Sequence, residues 1–534
     1  MELERIVVCL PCHSLHDFPT WLEEVEADAL LTAWTAAWHP SLIAATGAVP
    51  HWAGVDVPPR DTGTLGIVPE PWDERFAAQA DVAATAGSTW VRGAVGREAI
   101  VAAAAVAVGI DPAAGPLPGD TWADDFRGLG LAVLLAAVLA ERMRSHADQD
   151  DAAFAAAVVR TARAAVASDS PGVTEGLREC FGWLEAARAR YYPVDCWLID
   201  LILLADSTLG SALDGELESC VPGGLVATGE TIERLAERNP PALARVRQRC
   251  ADGTLAGVGG RHDSRSLDAC TPETVADGFR RGRAAWSEHV GAVPSVYAQQ
   301  TGGASALLPQ LLAGLGYTGA FWTLFDGTAL PDAGGGRFVW EGTGGGRIDA
   351  VARPPLDARS AQTILSLPER LGDRMDHDHT VVVTFAHHAG TASPWFDLLR
   401  RIGMLGTVLG RFVTPDEFFR QSADAASPVS FSPDAYPQAR PPRDASVGGA
   451  DVAAAIAMAR EEAGRIVACR TEFGAALETP EERSVARSAP GVRKRGGGLF
   501  GWGRRSTPDL VLEHGHLRVQ VHQESGGSLS VGGA

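Results

Sequence analysis

The side chains able to do chemistry in this chain collect where short apolar runs end. Ile6–Leu10 breaks at Pro11 into Cys12, His13, His16 and Asp17 (IVVCLPCHSLHDF), a second run ends at Asp206, and Thr254–Val258 is followed by GGRHDSRS, which offers Arg261, His262 and Asp263. Ser295–Gln299 leads to Gln300 and the turn TGGAS, Thr318–Leu324 carries Trp322 and leads to Asp326, and Thr380–Ala386 delivers His387 and His388. Carboxylates facing one another across a cleft can divide general acid and base work, and an Asp converging with two His can hold a divalent ion. Each residue also has an ordinary structural use. A histidine beside a strand end is more often hydrogen-bonded than a ligand, and Glu230 opens a helical pattern, where a carboxylate meets the positive end of the helix dipole. The run Asp376–His379 (DHDH) precedes an apolar stretch instead of following one, and TGGAS lacks the lysine and spacing of a phosphate-binding loop.

These positions matter only if the elements behind them bring them to one place. Strand-like runs recur, each followed by a polar or glycine-rich turn and then a helical pattern, which is the rhythm of parallel β/α units. We place strands at Arg5–Leu10, Cys196–Ala205, Gly224–Thr228, Thr254–Val258, Ser295–Gln299, Thr318–Leu324, Thr380–Ala386 and Thr407–Phe412. Helices are expected over Gly229–Glu237, Thr271–His289 and Ser305–Leu315. Seven or eight such units suit a barrel better than an open sheet, and the expectation is an α/β fold, a seven-stranded parallel β/α barrel, whose post-strand loops converge at the C-terminal face.

The expected barrel is interrupted and extended. Residues 1–76 supply its first strand and loop, 77–188 form an Ala-rich helical insertion without a convincing strand, and 189–430 complete the barrel. Leu129–Ala140 (LGLAVLLAAVLA) falls short of the roughly 18 apolar residues a membrane span needs and reads as a buried helix. A helical segment follows over 431–482, with its helix at Ala450–Ala476. A Gly- and Arg-rich linker covers 483–509, and an alternating, hairpin-like stretch fills 510–534.

Composition narrows the partners. With 66 acidic against 46 basic residues and a net charge of −20, the chain is a poor match for nucleic acid or an anionic membrane, since both call for clustered Lys and Arg. MELERIVVCL lacks the basic start and small-residue cleavage site of a secretory signal, so a cytoplasmic location is expected. Of the eight cysteines only Cys9 and Cys12 are closely spaced, which points to small buried thiols.

In order along the chain, three phrases resemble the glycoside hydrolase family 38 α-mannosidases and, more widely, the barrels of family 57 and the polysaccharide deacetylases. They are ATGETIERLAERNPPALARVRQRCADGTLAGVGG, GAVPSVYAQQTGGASALLPQLLAGLGYTGAFW and VVVTFAHHAG; LEHGHLRVQVHQESGGSLSV is similar to the opening strands of the family's β-sandwich. The resemblance implies zinc held after strand one by a His-x-Asp pair, and a nucleophilic Asp after strand five. Here Asp17 is present but Leu15 stands two residues before it, and Gln300 occupies the place of the nucleophile. An amide is a poor nucleophile and carries no charge to stabilise an oxocarbenium ion.

Two functions are therefore weighed. One is a hydrolase of α-linked sugars with Asp17 and Asp263 as its catalytic carboxylates, which requires them to face each other about 5–10 Å apart. The other is a catalytically silent carbohydrate-binding or scaffold protein. In either case His13, Gln300, Trp322, Asp326, His387 and His388 are the expected sugar contacts, with Trp322 and Trp395 as stacking surfaces. A deacetylase would need an Asp and two His around one ion. The residue types are present without the spacing. Zinc follows from the resemblance alone, with His13, Asp17 and His387 as the residues that could hold it and a ligand motif that is broken. The expected partner is a carbohydrate, with no nucleic acid and no membrane.

Overall fold

Ile6–Leu10 is buried on both faces, as a parallel strand covered on both sides must be. This strand, β1 (Arg5–Leu10), pairs in parallel with β2 (His51–Gly54) on one edge and β3 (Thr64–Ile67) on the other. β3 pairs in turn with β4 (Thr89–Val91), giving the order β2-β1-β3-β4. Both edges of β1 are thus filled inside a small sheet of its own, so it is not the first strand of the expected barrel. The helical insertion is corrected too. It contains β4, followed by helices at Arg97–Ala107, Ala123–Arg142, Asp151–Val166 and Ser170–Tyr191. The computed structural model describes residues 3–59, 61–78, 88–144, 151–265, 267, 270–298, 304–322, 336–377, 380–422, 428–432, 435–436, 491–492, 510–514, 517–521 and 529–533. The chain falls into two units, 1–440 and 441–534.

The second, larger sheet is built on β5 (Cys196–Leu203), eight consecutive buried residues. β13 (Val381–His388) runs along one whole edge of β5; the other edge is shared by β14 (Arg411–Phe412) and β6 (Gly223–Ala227). The path continues through β7 (Leu255–Gly259), β8 (Val296–Tyr297), β9 (Gly319–Phe321), β11 (Arg347–Val351), β10 (Arg337–Glu341) and β15 (Pro428–Ser430), with β12 (Leu356–Asp357) outside β13. All pairings are parallel except β10 with β11. Among the described residues no pairing closes this eleven-stranded sheet into a barrel.

The sheet curls nonetheless. Trp197, Ile199, Leu201 and Leu203 of β5 share one cluster with Val258, Val296, Phe321, Val351 and Val382, and a single ring, Phe418, lies 6.0 Å from Trp197 of β5 and 6.3 Å from Phe321 of β9, so strands far apart in the order approach one another across a concave face. Phe418 and Phe419, from the helix Pro415–Gln421, complete that cluster. The helix sits against the strand starts, where a Cβ on Gly224 would come within 2.6 Å of Pro415 and one on Gly319 within 2.3 Å of the Phe419 ring. The alternate residues of β5 and β13 face the other way. Cys196, Leu198, Val383 and Phe385 join the core shared with the small sheet and with the helices Glu24–Ala37, Ala123–Arg142 and Pro394–Leu405. In the second unit Leu510–His514, Leu517–Val521 and Leu529–Gly533 pair antiparallel, and Gly491–Val492 pairs with the first of them. These strands fall in the stretch expected to be hairpin-like, while the helix expected over Ala450–Ala476 lies outside the described residues.

Candidate functional site

A lone carboxylate in the apolar strand CWLIDLIL needs partners, because an unpaired buried charge costs several kcal/mol. Asp200 finds them on the helix-facing side of β5. The helix Pro394–Leu405, capped by the Ser393 hydroxyl, brings Arg400; the helix Ser211–Glu216 brings Glu216; and β13 brings His387. Arg400 donates from Nε and Nη2 to Asp200 Oδ2 at 3.1 and 2.7 Å, from Nη2 also to Glu216 Oε1, and from Nη1 to Asp397 Oδ1 at 3.1 Å. His387 places Nε2 3.1 Å from Asp200 Oδ1 and Nδ1 3.0 Å from the His388 carbonyl. The Gly390 amide donates to Glu216 Oε2 at 3.1 Å.

Asp200, Glu216 and His387 form the one three-residue group among the described residues with the types and spacing of a metal site. Arg400 Nη2 lies within hydrogen-bonding reach of all three, 3.1 Å from His387 Nε2, where an ion would sit. A guanidinium thus does there what a cation would do. Burial opposes charge on Asp200, but Arg400 and His387 outweigh it and hold the carboxyl down at about 2.

The expected site residues fall in several places. His387 is fully buried beneath Arg400 and the ring of Phe396, facing away from the concave side, which removes it from the expected sugar contacts and metal ligands. Asp17 and His13 lie exposed after β1 in the small sheet. The His13 and Ser14 amides donate to the Asp17 carboxylate, as does the Ser14 hydroxyl, which holds Asp17 well below the usual carboxylate range. Asp263 is gripped by Arg261 at 3.2 Å and Arg265 at 2.7 Å, and its carboxyl is lowered despite partial burial, opposite to what a general acid needs. Neighbouring His262 has its own partners in Glu233 and Arg281.

Trp322 is buried among Trp340, Phe338, Phe431 and Tyr436, and Trp395 is buried with its indole N–H donating to Asp28 at 2.7 Å. Neither offers a ring face to a sugar. Gln300 and Asp326 lie outside the described residues, as do Thr301–Gly303 of the TGGAS turn and the side chains of Asp376–His379. His388 remains. Strand alternation puts it on the concave side with Val382, Thr384 and Ala386, and both His388 Nδ1 and Thr384 Oγ1 are buried without a hydrogen-bond partner among the described residues.

A cavity of about 180 Å³ opens at the start of β5, lined by Arg188, Asp195, Cys196, Trp197, Thr407, Gly410 and Arg411. It lies at the opposite end of the strands from the expected loops. Residues 299–303 and 323–335 lie outside the described residues.

No protein-family model matches the chain, and no curated protein does. Solved structures that align with it include a 4-alpha-glucanotransferase from Thermococcus litoralis, at 12% identity over 64% of this chain and 67% of that one, TM-score 0.39. An alpha-mannosidase from Enterococcus faecalis V583 aligns at 10% identity over 44% of this chain and 30% of its own, TM-score 0.35. A glycosyl hydrolase family 38 protein from Enterococcus faecalis aligns at 13% identity over 44% and 29%, TM-score 0.30. Likeness at this level transfers no activity. Among the described residues no helix is long and apolar enough to cross a membrane.

Proposed function

We propose that the chain recognises a carbohydrate on the concave side of the large sheet without cleaving it. The observation that carries this reading is a division of labour. Asp263 is committed to arginines, Asp17 to backbone amides and a serine hydroxyl, and the His387 imidazole to Asp200 and a backbone carbonyl, while His388 Nδ1 and Thr384 Oγ1, on the concave side, have polar valences to spare. Imidazole and hydroxyl groups suit the uncharged donors and acceptors of a sugar. Gln300 in the nucleophile's place supports the same reading, because an amide cannot form a glycosyl ester. That the ligand is a carbohydrate rests on the sequence resemblance.

The test pairs an activity assay with a binding assay. No release of 4-nitrophenol from 4-nitrophenyl α-mannoside above buffer is expected, together with saturable binding to an immobilised oligosaccharide panel. His388→Ala should weaken that binding by about tenfold, the worth of one lost hydrogen bond to a buried partner. Turnover abolished by Asp17→Asn or Asp263→Asn would restore the hydrolase, and absence of any carbohydrate binding would dismiss both.

A further inference from the structure

The protons of the buried cluster can be counted. Arg400 Nη2 carries two hydrogens, and Asp200 Oδ2 at 2.7 Å and Glu216 Oε1 take both. None is left for His387 Nε2, whose remaining neighbour is the acceptor Asp200 Oδ1 at 3.1 Å. Nδ1 of the same ring faces another acceptor, the His388 carbonyl, at 3.0 Å. Two ring nitrogens each facing an oxygen require two N–H bonds. A neutral imidazole would set a lone pair against either the carboxylate or the carbonyl, in a ring shut off from bulk solvent.

We infer that His387 is a doubly protonated imidazolium, and that its proton holds the helices Ser211–Glu216 and Pro394–Leu405 on the large sheet, so that alkaline pH releases them. With that proton two carboxylates, Asp200 and Glu216, balance two cations, His387 and Arg400. Without it the same space holds two anions and one cation, with Asp397 adding a further carboxylate from the rim. The other charges that act on the cluster are Asp357 of β12, itself tied to Arg359, and Arg249 of the helix Pro240–Ala251. The ring of Phe396, centred 5.6 Å from that of His387, supplies no charge. Burial disfavours the imidazolium, but its hydrogen bond to Asp200 and the charges of Asp200 and Glu216 prevail, so the pKa lies above the ordinary 6.5. A histidine raised in the folded state contributes stability that is complete below about 6.5 and is lost as pH rises through the folded value.

The test is hydrogen exchange by mass spectrometry on the full chain between pH 6 and 9.5, corrected for the base-catalysed intrinsic rate. Peptides over 211–216 and 394–405 are expected to lose protection by up to tenfold per pH unit above the folded pKa, the slope of one linked proton. A peptide over 272–289 is the internal reference and should hold its protection. In His387→Gln the pH dependence should vanish. Because that variant could fold poorly, wild type carries the decision. Unchanged protection of 211–216 and 394–405 across the range overturns the inference, as does a nitrogen-15 imidazole spectrum with no imidazolium pair at pH 6.

Discussion

Asp263 shows how a residue suited to catalysis can be consumed by structure. Arg261, buried at 5% exposure, and Arg265 reach the same carboxylate, and Arg261 also donates to the Arg265 carbonyl at 2.7 Å. Asp263→Ala should therefore cost about 1–3 kcal/mol in denaturant unfolding, the range for stranding a buried hydrogen-bonded group, and Asp263→Asn less. Since the carboxyl is lowered in the folded state, its contribution is present above the unfolded value of about 3.9 and fades as pH falls through the folded one. Wild type and Asp263→Asn should thus converge in acid; a gap that widens there would refute the pairing. Asp200 is equally visible in the sequence, as the one charge inside CWLIDLIL, but it stands within a strand and not after one, where catalytic side chains are expected. Glu216 and Arg400 sit on helices with no spacing relation to it, and only the tertiary fold brings them together.

Helix and strand spacing were legible wherever an element was long or well capped. The helix Pro272–His289, announced by Thr271 and Pro272, lies where the sequence puts it, and β5 and β13 declare themselves by length. β2, β3 and β4 are three or four residues long, too short to show a period, so the sequence does not separate β1 from the strands of the large sheet. Close approach is the other thing spacing hides. The loop after β7 crosses the helix Pro272–His289 at Gly278 and Gly282: the His262 amide donates to the Gly278 carbonyl at 2.9 Å, and a Cβ on Gly282 would meet the Arg261 backbone at 2.4 Å. Gly282→Ala gains about 1 kcal/mol of helix propensity but forces apart two backbones, an overpacking cost of about 1–3 kcal/mol. The cost should win, lowering the melting midpoint. Gly182→Ala, with nothing within 4 Å, should raise it. Equal shifts of one sign would discount the crossing.

On the scale of the whole chain, the four core clusters of the described residues lie between Leu3 and Tyr436, inside the first unit. A protein ending at Arg440 keeps the hydrogen bond from Trp340 Nε1 to the Tyr436 hydroxyl and should melt in one cooperative transition; a broad, non-cooperative melt would show that residues beyond 440 complete a core. The seating of Pro415–Gln421 against the strand starts also has a consequence for biosynthesis. β5 is made early, but the strand along one edge, the two-residue strand on the other and the phenylalanines that pack into the concave side at the strand starts are encoded some two hundred residues later. At roughly 5–20 residues per second, an eight-residue apolar ribbon waits on the ribosome for about ten to forty seconds before its neighbours emerge. A nascent chain of this design is a client for whatever shields hydrophobic segments during translation, and slow codons between β5 and β13 would lengthen its exposure.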